Sequence, residues 1–444
     1  MQLRRRETDL WLHVGLFSLY LGTFSVFGFA RRLDPSLGSA AQLGLLLLTW
    51  LLVLYAVWRS RRLPMWGVLL LALLPYAHMV WFTATGESTA GAFSYVYKFS
   101  GFLIAPYLWL WARNRDEGQI ERTLMVLATV AAARAVLTFA VPGLAPGAGK
   151  FADDFIVYEW VGPLPRIFYP GMALVFLGLT VSLRNIFQTS DRALPLEVAR
   201  ALLFLTALCV NMSRGMLILA VLVVTLLVLL KFSSGAVAAG RKGRLVLGAL
   251  LALSGTALVV VATPLADTVA NAAAGFGGQE RFSLDQKNLD WRAQQVSAAF
   301  RLVQTPEAQW LGVGTNTFIP ESLENPRLGE VTNELHYSYD SVRWTFGTLG
   351  LILLITFTMA QPLARTLLLR PATPLVLPAL LTGAFIGLVG LYTVVFTTTD
   401  WSFALTVCGA YLHARCDARR ALPAPARPRR AVPALNGPAR RFPA

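Results

Sequence analysis

Charged residues are scarce in this sequence. Asp, Glu, Lys and Arg make up 14% of its 444 residues, whereas hydrophobic residues make up 55%, and the mean hydropathy is +0.56. A soluble domain of this size could not cover its surface with so few polar side chains. The scarcity of charge therefore excludes a soluble protein and indicates an integral membrane protein.

Cysteine and histidine are also rare, with three and four residues. Cys209, Cys408 and Cys416 lie in or beside hydrophobic runs, so no disulfide framework is predicted. The longest polar stretch contains no cluster of carboxylates, cysteines or histidines with the spacing of metal ligands, and we expect no metal and no cofactor. His336 is the one histidine that lies outside the hydrophobic runs.

The hydrophobic residues form continuous runs of about 20, the length that a helix needs to cross a bilayer, and not the short alternating segments of a barrel. The sequence therefore predicts an all-α polytopic membrane protein with about twelve transmembrane helices and a mostly helical outer loop between the ninth and the tenth. The predicted spans are 11–30, 42–58, 65–83, 95–112, 123–142, 165–183, 200–212, 216–230, 245–266, 345–361, 373–396 and 401–414.

Four segments follow from these spans. Residues 1–266 hold transmembrane helices 1–9, and residues 267–344 form the outer loop, which is long enough to pack as a small cap on the membrane domain. Residues 345–414 hold helices 10–12. Residues 415–444 alternate Pro, Ala and Arg and are predicted to be a disordered basic tail in the cytoplasm, near the inner leaflet.

Basic residues predict the orientation, because Lys and Arg are retained on the cytoplasmic side of short loops. Every second loop is rich in arginine, whereas the short loops between them hold only Arg31, Arg32 and Lys150, apart from Arg214 in a three-residue turn. Both termini are therefore predicted in the cytoplasm, with the loop 267–344 outside. The net charge of +15 then reflects topology and contact with anionic lipid, not nucleic-acid binding.

Two arginines at the predicted outer rim are candidates for binding a diphosphate. Arg214 lies in NMSRGML between two apolar runs, where Gly215 allows a tight turn, and Arg166 reaches the same rim from another span. A planar guanidinium group binds phosphate oxygens in pairs. The same arginines fit equally well against lipid headgroups or in ion pairs with Glu159 or the other acids of the preceding loop.

The outer loop adds a third arginine, Arg292, at the start of a stretch with the apolar spacing of an amphipathic helix that can lie on the membrane domain. The stretch ends in the glycine turn LGVG. This turn is not a phosphate-binding fingerprint, because no strand, turn and helix unit surrounds it. The apolar residues with helical spacing are Trp291, Val296, Ala299, Phe300 and Val303.

His336 is the candidate general base, because imidazole is the side chain with an unperturbed pKa nearest to neutrality. Alone, it would equally fit a solvated loop histidine that makes an ordinary hydrogen bond. The candidate supporting residues are Ser213, Arg281, Tyr339, Asp340 and Arg343.

The order of these motifs resembles the O-antigen ligase and O-antigen polymerase superfamily over about residues 160–360. The shared features are an arginine before a span, SRG between two spans, an arginine before an amphipathic helix and LGVGxxxF, and a histidine followed by glycine eleven and fourteen positions later (Gly347 and Gly350). Many members have Asn directly after the histidine and Glu two residues before the first glycine, where this chain has Tyr337 and Thr345.

The resemblance implies a glycosyltransferase at the periplasmic face of the bacterial inner membrane, whose donor is a glycan on undecaprenyl diphosphate. A ligase transfers the glycan to a sugar hydroxyl of lipid A-core. In this assignment Arg214, Arg292 and Arg166 stabilise the departing diphosphate, and His336 takes the acceptor proton. One base opposite the leaving group favours metal-independent transfer with inversion, whereas retention would need a nucleophilic carboxylate such as Asp340.

Three alternatives stay open. A polymerase that joins lipid-linked repeat units and a protein O-oligosaccharyltransferase share the motifs. A lipid-linked glycan transporter belongs to a different class, and it would place charges along a path through the membrane centre, where this chain concentrates them at the outer face. We favour the ligase because the outer loop is compact and basic residues in it could face a phosphorylated acceptor: Arg281, Lys287, Arg301 and Arg327.

Overall fold

The computed structural model describes residues 2–21, 34–140, 157–161, 164–168, 170–188, 193–210, 294–297, 299–301, 303–315, 335, 337–391 and 395–421. These parts are helical except for one antiparallel hairpin, β1 (Val157–Val161) and β2 (Leu164–Phe168). The helices are α1 (Gln2–Leu21), α2 (Pro35–Ser60), α3 (Trp66–Thr85), α4 (Ala90–Lys98), α5 (Ser100–Leu103), α6 (Ala105–Asn114), α7 (Glu117–Ala140), α8 (Met172–Gln188), α9 (Leu194–Val210), α10 (Pro306–Leu311), α11 (Ser338–Leu353), α12 (Gln361–Leu369), α13 (Val376–Val389) and α14 (Thr399–Ala421), with a π-helical segment, Leu354–Ala360, joining α11 to α12.

The predicted helical membrane character is confirmed, but twelve spans are not. Four described segments are long and apolar enough to cross a bilayer: Ser36–Ser60, Trp66–Thr85, Glu117–Phe139 and Ser338–Leu369. Met172–Ile186 and Val376–Val389 are apolar but shorter. The predicted spans 216–230 and 245–266 lie outside the described residues, as does most of the outer loop.

The predicted span 95–112 is wrong as a single helix, because this stretch forms the three short helices α4, α5 and α6. Pro106 favours the last break, since proline in the first turn of a helix disfavours helical continuation from the preceding residues. Gly101 allows α5 to approach the start of α14 closely, because a Cβ atom there would lie 2.5 Å from the backbone nitrogen of Phe403.

The predicted span 165–183 also begins too early. Its first residues belong to strand β2, and helix α8 begins only at Met172. Pro170 and Gly171 separate the two, and Gly171 has φ +86, a left-handed conformation that does not continue a helix. The hairpin is the exception to the all-α prediction.

Two predicted segment boundaries move as well. Helix α11 begins at Ser338, ahead of the boundary expected at residue 345. Helix α14 continues to Ala421 and so includes the first residues assigned to the basic tail. The rest of that tail, 422–444, lies outside the described residues.

Helix α14 occupies the centre of the described bundle, where it packs against α1, α5, α6, α12 and α13. Its residues from Thr399 to Ala414 are all buried, and the adjacent core includes Phe176 and Phe385, whose rings stack 4.0 Å apart. Helix α14 has a low average hydrophobicity, and it can occupy the centre of the bundle because its side chains contact other helices instead of lipid.

Ion pairs gather at one end of this bundle, which we call the basic end. It is formed by the start of α1 and α7, the ends of α6, α8, α12 and α14, and the turn between α2 and α3. The pairs are Arg115–Asp9 at 2.5 Å, Arg415–Glu117 at 2.6 Å, Arg184–Glu121 at 2.8 Å, Arg365–Asp417 at 2.6 Å and Arg62–Asp417 at 3.3 Å.

The opposite end, which we call the motif end, is where α11 and α14 begin and α13 finishes. The backbone N–H of Ser338 donates to the carbonyl of Gly390 at 3.1 Å, and the Ser338 hydroxyl accepts from the N–H of Phe396 at 3.3 Å. The Ser402 hydroxyl donates to the carbonyl of Lys98 at 3.3 Å. These bonds bring the His336 region, the last helix and α4 to the same end.

Candidate active site

Helix α10 and the LGVG turn dock on a break in helix α11. Gly347 has φ +68 and ψ −170 inside α11, so the helical hydrogen bonds are interrupted there. The carbonyls of Trp344 and Thr345 instead accept from the N–H groups of Val313 and Gly314, at 2.9 and 3.2 Å. The N–H groups of Val313 and Gly314 therefore bind the membrane helix, so these two donors are not free to bind phosphate.

This contact requires glycine on both sides. Gly312 has φ +81, and a Cβ atom on it would lie 2.3 Å from the carbonyl oxygen of Thr345. A Cβ atom on Gly347 would lie 2.2 Å from the carbonyl oxygen of Trp310. Since real Cβ atoms do not approach a carbonyl oxygen so closely, the two backbones can meet only at glycines.

The loop helix (residues 294–297 and 299–301) packs beside this contact. Ala299, Val303, Leu335 and Trp344 form a buried cluster, and Val296 and Phe300 pack against it. The predicted apolar helix face is confirmed for Val296, Ala299 and Phe300, whereas Val303 joins the same cluster from just after the helix and Trp291 lies outside the described residues. The described part of the outer loop is thus fixed on α11 by an apolar cluster and by backbone hydrogen bonds.

His336, Arg214, Arg292, Ser213 and Arg281 lie outside the described residues, and so the roles predicted for them stay predictions. Both neighbours of His336 are described. Leu335 is fully buried in the loop-helix cluster, and Tyr337 is the N-cap residue of α11. The backbone on each side of the histidine is therefore anchored at the motif end.

Tyr339 faces the interior of the bundle. Its hydroxyl donates to the carbonyl of Gly387 at 2.9 Å, and its ring meets Phe396 edge-on at 5.0 Å between centroids. This hydroxyl fixes α11 against α13, so the geometry supports a positioning role for Tyr339.

Asp340 and Arg343 lie one turn apart in the first turns of α11. Asp340 is half-buried, whereas Arg343 is exposed. The exposed Arg343 guanidinium lies 4.7 Å above the ring of Phe300, so it also connects α11 to the loop helix. These two charged groups lie within a few residues of His336 in the chain.

Arg166 lies in strand β2 and not in a transmembrane helix. The strand register places it opposite Glu159, one of the acids that the sequence offers as an ion-pair partner.

Asp400 is a functional candidate that the sequence reasoning missed. It is 5% exposed in the first turn of α14, and its Oδ2 accepts a hydrogen bond from the N–H of Gly171 at 2.9 Å. This bond fixes the residue directly before α8, in the short link that follows the hairpin carrying Arg166. The sequence did contain a signal for Asp400, because it is a single acid in the run TTTDWSFAL at the edge of a predicted span. A carboxylate costs free energy to bury in a membrane protein, so its presence there indicates a specific role.

In the described part of the chain, no three His, Cys, Asp or Glu side chains lie close enough together to hold a metal ion. The expectation that the reaction needs no metal and no cofactor stays a prediction.

These features define a polytopic helical membrane protein in which a loop helix docks on a broken membrane helix. In the chain, His336 lies two residues before this membrane helix begins. Residues 199–355 match the family model described as O-antigen ligase, and the match supports membership of the O-antigen ligase superfamily. The matched region includes Arg214, Arg292, His336 and the Gly312–Gly347 contact. No curated protein matches the chain. The family consists of membrane glycosyltransferase-like enzymes of the ligase and polymerase type.

Proposed function

We propose that this protein transfers a glycan from undecaprenyl diphosphate to a sugar hydroxyl of lipid A-core at the periplasmic face of the inner membrane. Two observations on the same region of the chain together support the proposal. The O-antigen ligase match covers residues 199–355, and within that region the loop helix and α11 anchor the backbone on both sides of His336.

Glycan transfer from a diphosphate requires two functions of the protein. Diphosphate leaves readily once positive charge stabilises it, and Arg214, Arg292 and Arg166 supply that charge. The acceptor hydroxyl must lose its proton as it attacks the anomeric carbon, and His336 accepts it. Guanidinium groups suit the first role because their fixed N–H donors match the geometry of phosphate oxygens.

Transfer is proposed to invert the anomeric configuration without a metal ion. A base on the acceptor side and a cationic site on the leaving-group side support a single in-line displacement. A retaining reaction would need a carboxylate nucleophile. Asp340 is near His336 in sequence, but its place in the first turn of α11 supports an electrostatic role.

The proposed orientation places the motif end in the periplasm. The ion-paired arginines of the basic end all come from segments predicted to be cytoplasmic, as the retention of Lys and Arg on that side requires. Their grouping at one end supports the predicted alternation of the described helices.

Transfer with the purified full-length protein tests the function. A glycan on undecaprenyl diphosphate is supplied with either lipid A-core or a second donor molecule as the acceptor, and products are separated by mass. Glycosylated lipid A-core is the expected product. A lengthened lipid-linked glycan would assign a polymerase, and no product with either acceptor, under conditions where the donor binds, would contradict both.

A further inference from the structure

A cavity of about 170 Å³ opens at the basic end, far along the helices from the motif end. It lies between the α2–α3 turn, the end of α12 and the last turns of α14. Its volume is well above the roughly 15 Å³ that a single water requires, so a larger polar group fits. The polar side chains that line it are Arg62, Trp109, Arg365, His413 and Asp417.

Asp417 is the one acid among the residues that line the cavity, and three donors share its carboxylate. Its carboxylate accepts from Arg365 Nη2 at 2.6 Å, from Arg62 Nη2 at 3.3 Å and from Trp109 Nε1 at 3.0 Å. Two guanidinium groups against one carboxylate leave the cavity positively charged. Each guanidinium carries five N–H donors, so most of them are not used by Asp417.

His413 contributes a further donor. Arg365 Nη1 contacts His413 Nδ1, and arginine can only donate, so Nδ1 accepts and the imidazole proton is on Nε2. His413 is 5% exposed, and its Nε2 has no hydrogen-bond partner among the described residues. A buried N–H group without an acceptor is unfavourable, and a ligand oxygen in the cavity would satisfy it.

The surroundings place this cavity at the depth of lipid headgroups. Trp58 and Trp66 flank the α2–α3 turn and are 74% and 51% exposed, and tryptophan concentrates at the membrane–water interface. Leu367 and Leu368, which follow Arg365 closely in α12, are exposed. Apolar side chains there give acyl chains a surface to lie on.

We propose that this cavity binds the phosphodiester of an anionic phospholipid. Arg62 and Arg365 donate to the phosphate oxygens, and His413 Nε2–H donates from the buried side. A bound headgroup then joins the α2–α3 turn, α12 and α14, which is the central helix of the bundle. This site is separate from the proposed glycosyl transfer and does not depend on it.

Native mass spectrometry of the full-length protein tests the proposal, with phosphatidylglycerol, phosphatidylcholine or inorganic phosphate added to delipidated samples. We expect selective binding of phosphatidylglycerol and a higher Tm in its presence. Arg62→Gln and Arg365→Gln should each weaken phosphatidylglycerol binding by roughly tenfold, the effect of losing a charge-assisted hydrogen bond. Arg419→Gln removes an exposed arginine at the same end outside the cavity, and it should bind as the wild type does.

Three results would overturn the proposal: unchanged phosphatidylglycerol affinity in both glutamine variants, equal affinity for phosphatidylcholine, or displacement of the lipid by inorganic phosphate that alone gives the same rise in Tm. The last result would assign a free ion. If Arg365→Gln does not fold, the exposed Arg62→Gln together with His413→Phe carries the test. The phenylalanine removes the Nε2–H donor but retains most of the ring volume, so weaker lipid binding in a folded variant supports the site.

Discussion

At the scale of single residues, glycines and charges have different explanations. Gly312 and Gly347 are required by geometry, because each backbone passes where the other residue would carry its Cβ atom. The charged candidates are required by chemistry, and their type and spacing in the sequence suggest the reaction. The close approach of two backbones at glycine cannot be predicted from a sequence. The types and spacing of charged residues can be identified in it.

His336→Ala should abolish transfer while donor binding is retained, because the diphosphate is bound by arginine and not by imidazole. In the wild type, activity should fall as the pH drops through about 6.5, the ordinary pKa of imidazole, since the protonated ring cannot accept the acceptor proton. Steady-state transfer between pH 5 and 8, with and without EDTA, measures both effects. Asp340→Asn is the matched variant, and a loss confined to it would move the chemistry to the carboxylate.

Arg214→Ala and Arg292→Ala should each reduce transfer by roughly tenfold to a hundredfold, the usual effect of removing a charged contact to the transition state. Arg214→Lys should restore little, since an ammonium group lacks the planar pair of donors. Initial rates of properly inserted protein measure this. Arg370→Ala, at an exposed arginine of the opposite end, is the control, and turnover near the wild-type value in both alanine variants would assign Arg214 and Arg292 to structure alone.

At the scale of secondary-structure elements, the docking of the loop helix and the LGVG turn on α11 explains how motifs that are far apart in the chain come into contact. LGVG binds the carbonyls that the break at Gly347 releases, and the loop-helix cluster forms around Trp344. The loop helix and α11 therefore form one unit on which the His336 segment depends.

Gly347→Ala should disrupt this unit. An alanine at φ +68 and ψ −170 costs about 1–3 kcal/mol, because this backbone region is essentially confined to glycine, and its Cβ atom would also clash with the carbonyl of Trp310. We expect a lower Tm and faster proteolysis of the outer loop. Gly383→Ala is the control, because a Cβ atom at this helical glycine meets nothing within 4 Å, and equal protection of the loop in the two variants would contradict the docking.

Asp400→Ala should loosen the junction between the hairpin and α8. The Gly171 N–H would lose its acceptor in a buried setting, which costs about 1–3 kcal/mol. Asp400→Asn retains an amide oxygen and should be milder. Thermal unfolding ranks the variants, and an alanine variant as stable as the wild type would show that the bond contributes little.

The elements also show what a sequence can and cannot predict. Hydrophobic runs predicted α2, α3 and α7, because length and apolar content decide a membrane helix. These runs gave the bounds of α3 to within two residues but placed the starts of α2 and α7 seven and six residues too late. They did not give the breaks in the stretch 95–112 or the hairpin before α8, because those depend on close contact with α14 and on the Pro170–Gly171 pair. The apolar face of the loop helix was predictable from its spacing, but its partner Trp344 was not.

At the scale of the whole molecule, the described helices have a basic end and a motif end. Lys and Arg were predicted on the cytoplasmic side from sequence alone, and the structure groups arginines from distant segments at one end through shared carboxylates. The site residues could be named from the sequence but not arranged, since their relative positions depend on tertiary contacts that no local pattern encodes.

The orientation itself is testable by cysteine labelling. With both termini in the cytoplasm and the outer loop in the periplasm, an impermeant thiol reagent should label Ser283→Cys in intact spheroplasts and leave Ala421→Cys unlabelled. Permeabilised cells should show both, because Ala421 is exposed at the end of α14. The parent protein controls for its own thiols, of which Cys408 and Cys416 are buried. Equal labelling of the two positions in intact spheroplasts would refute this topology, and labelling of Ala421→Cys alone would invert it and move the motif end to the cytoplasm.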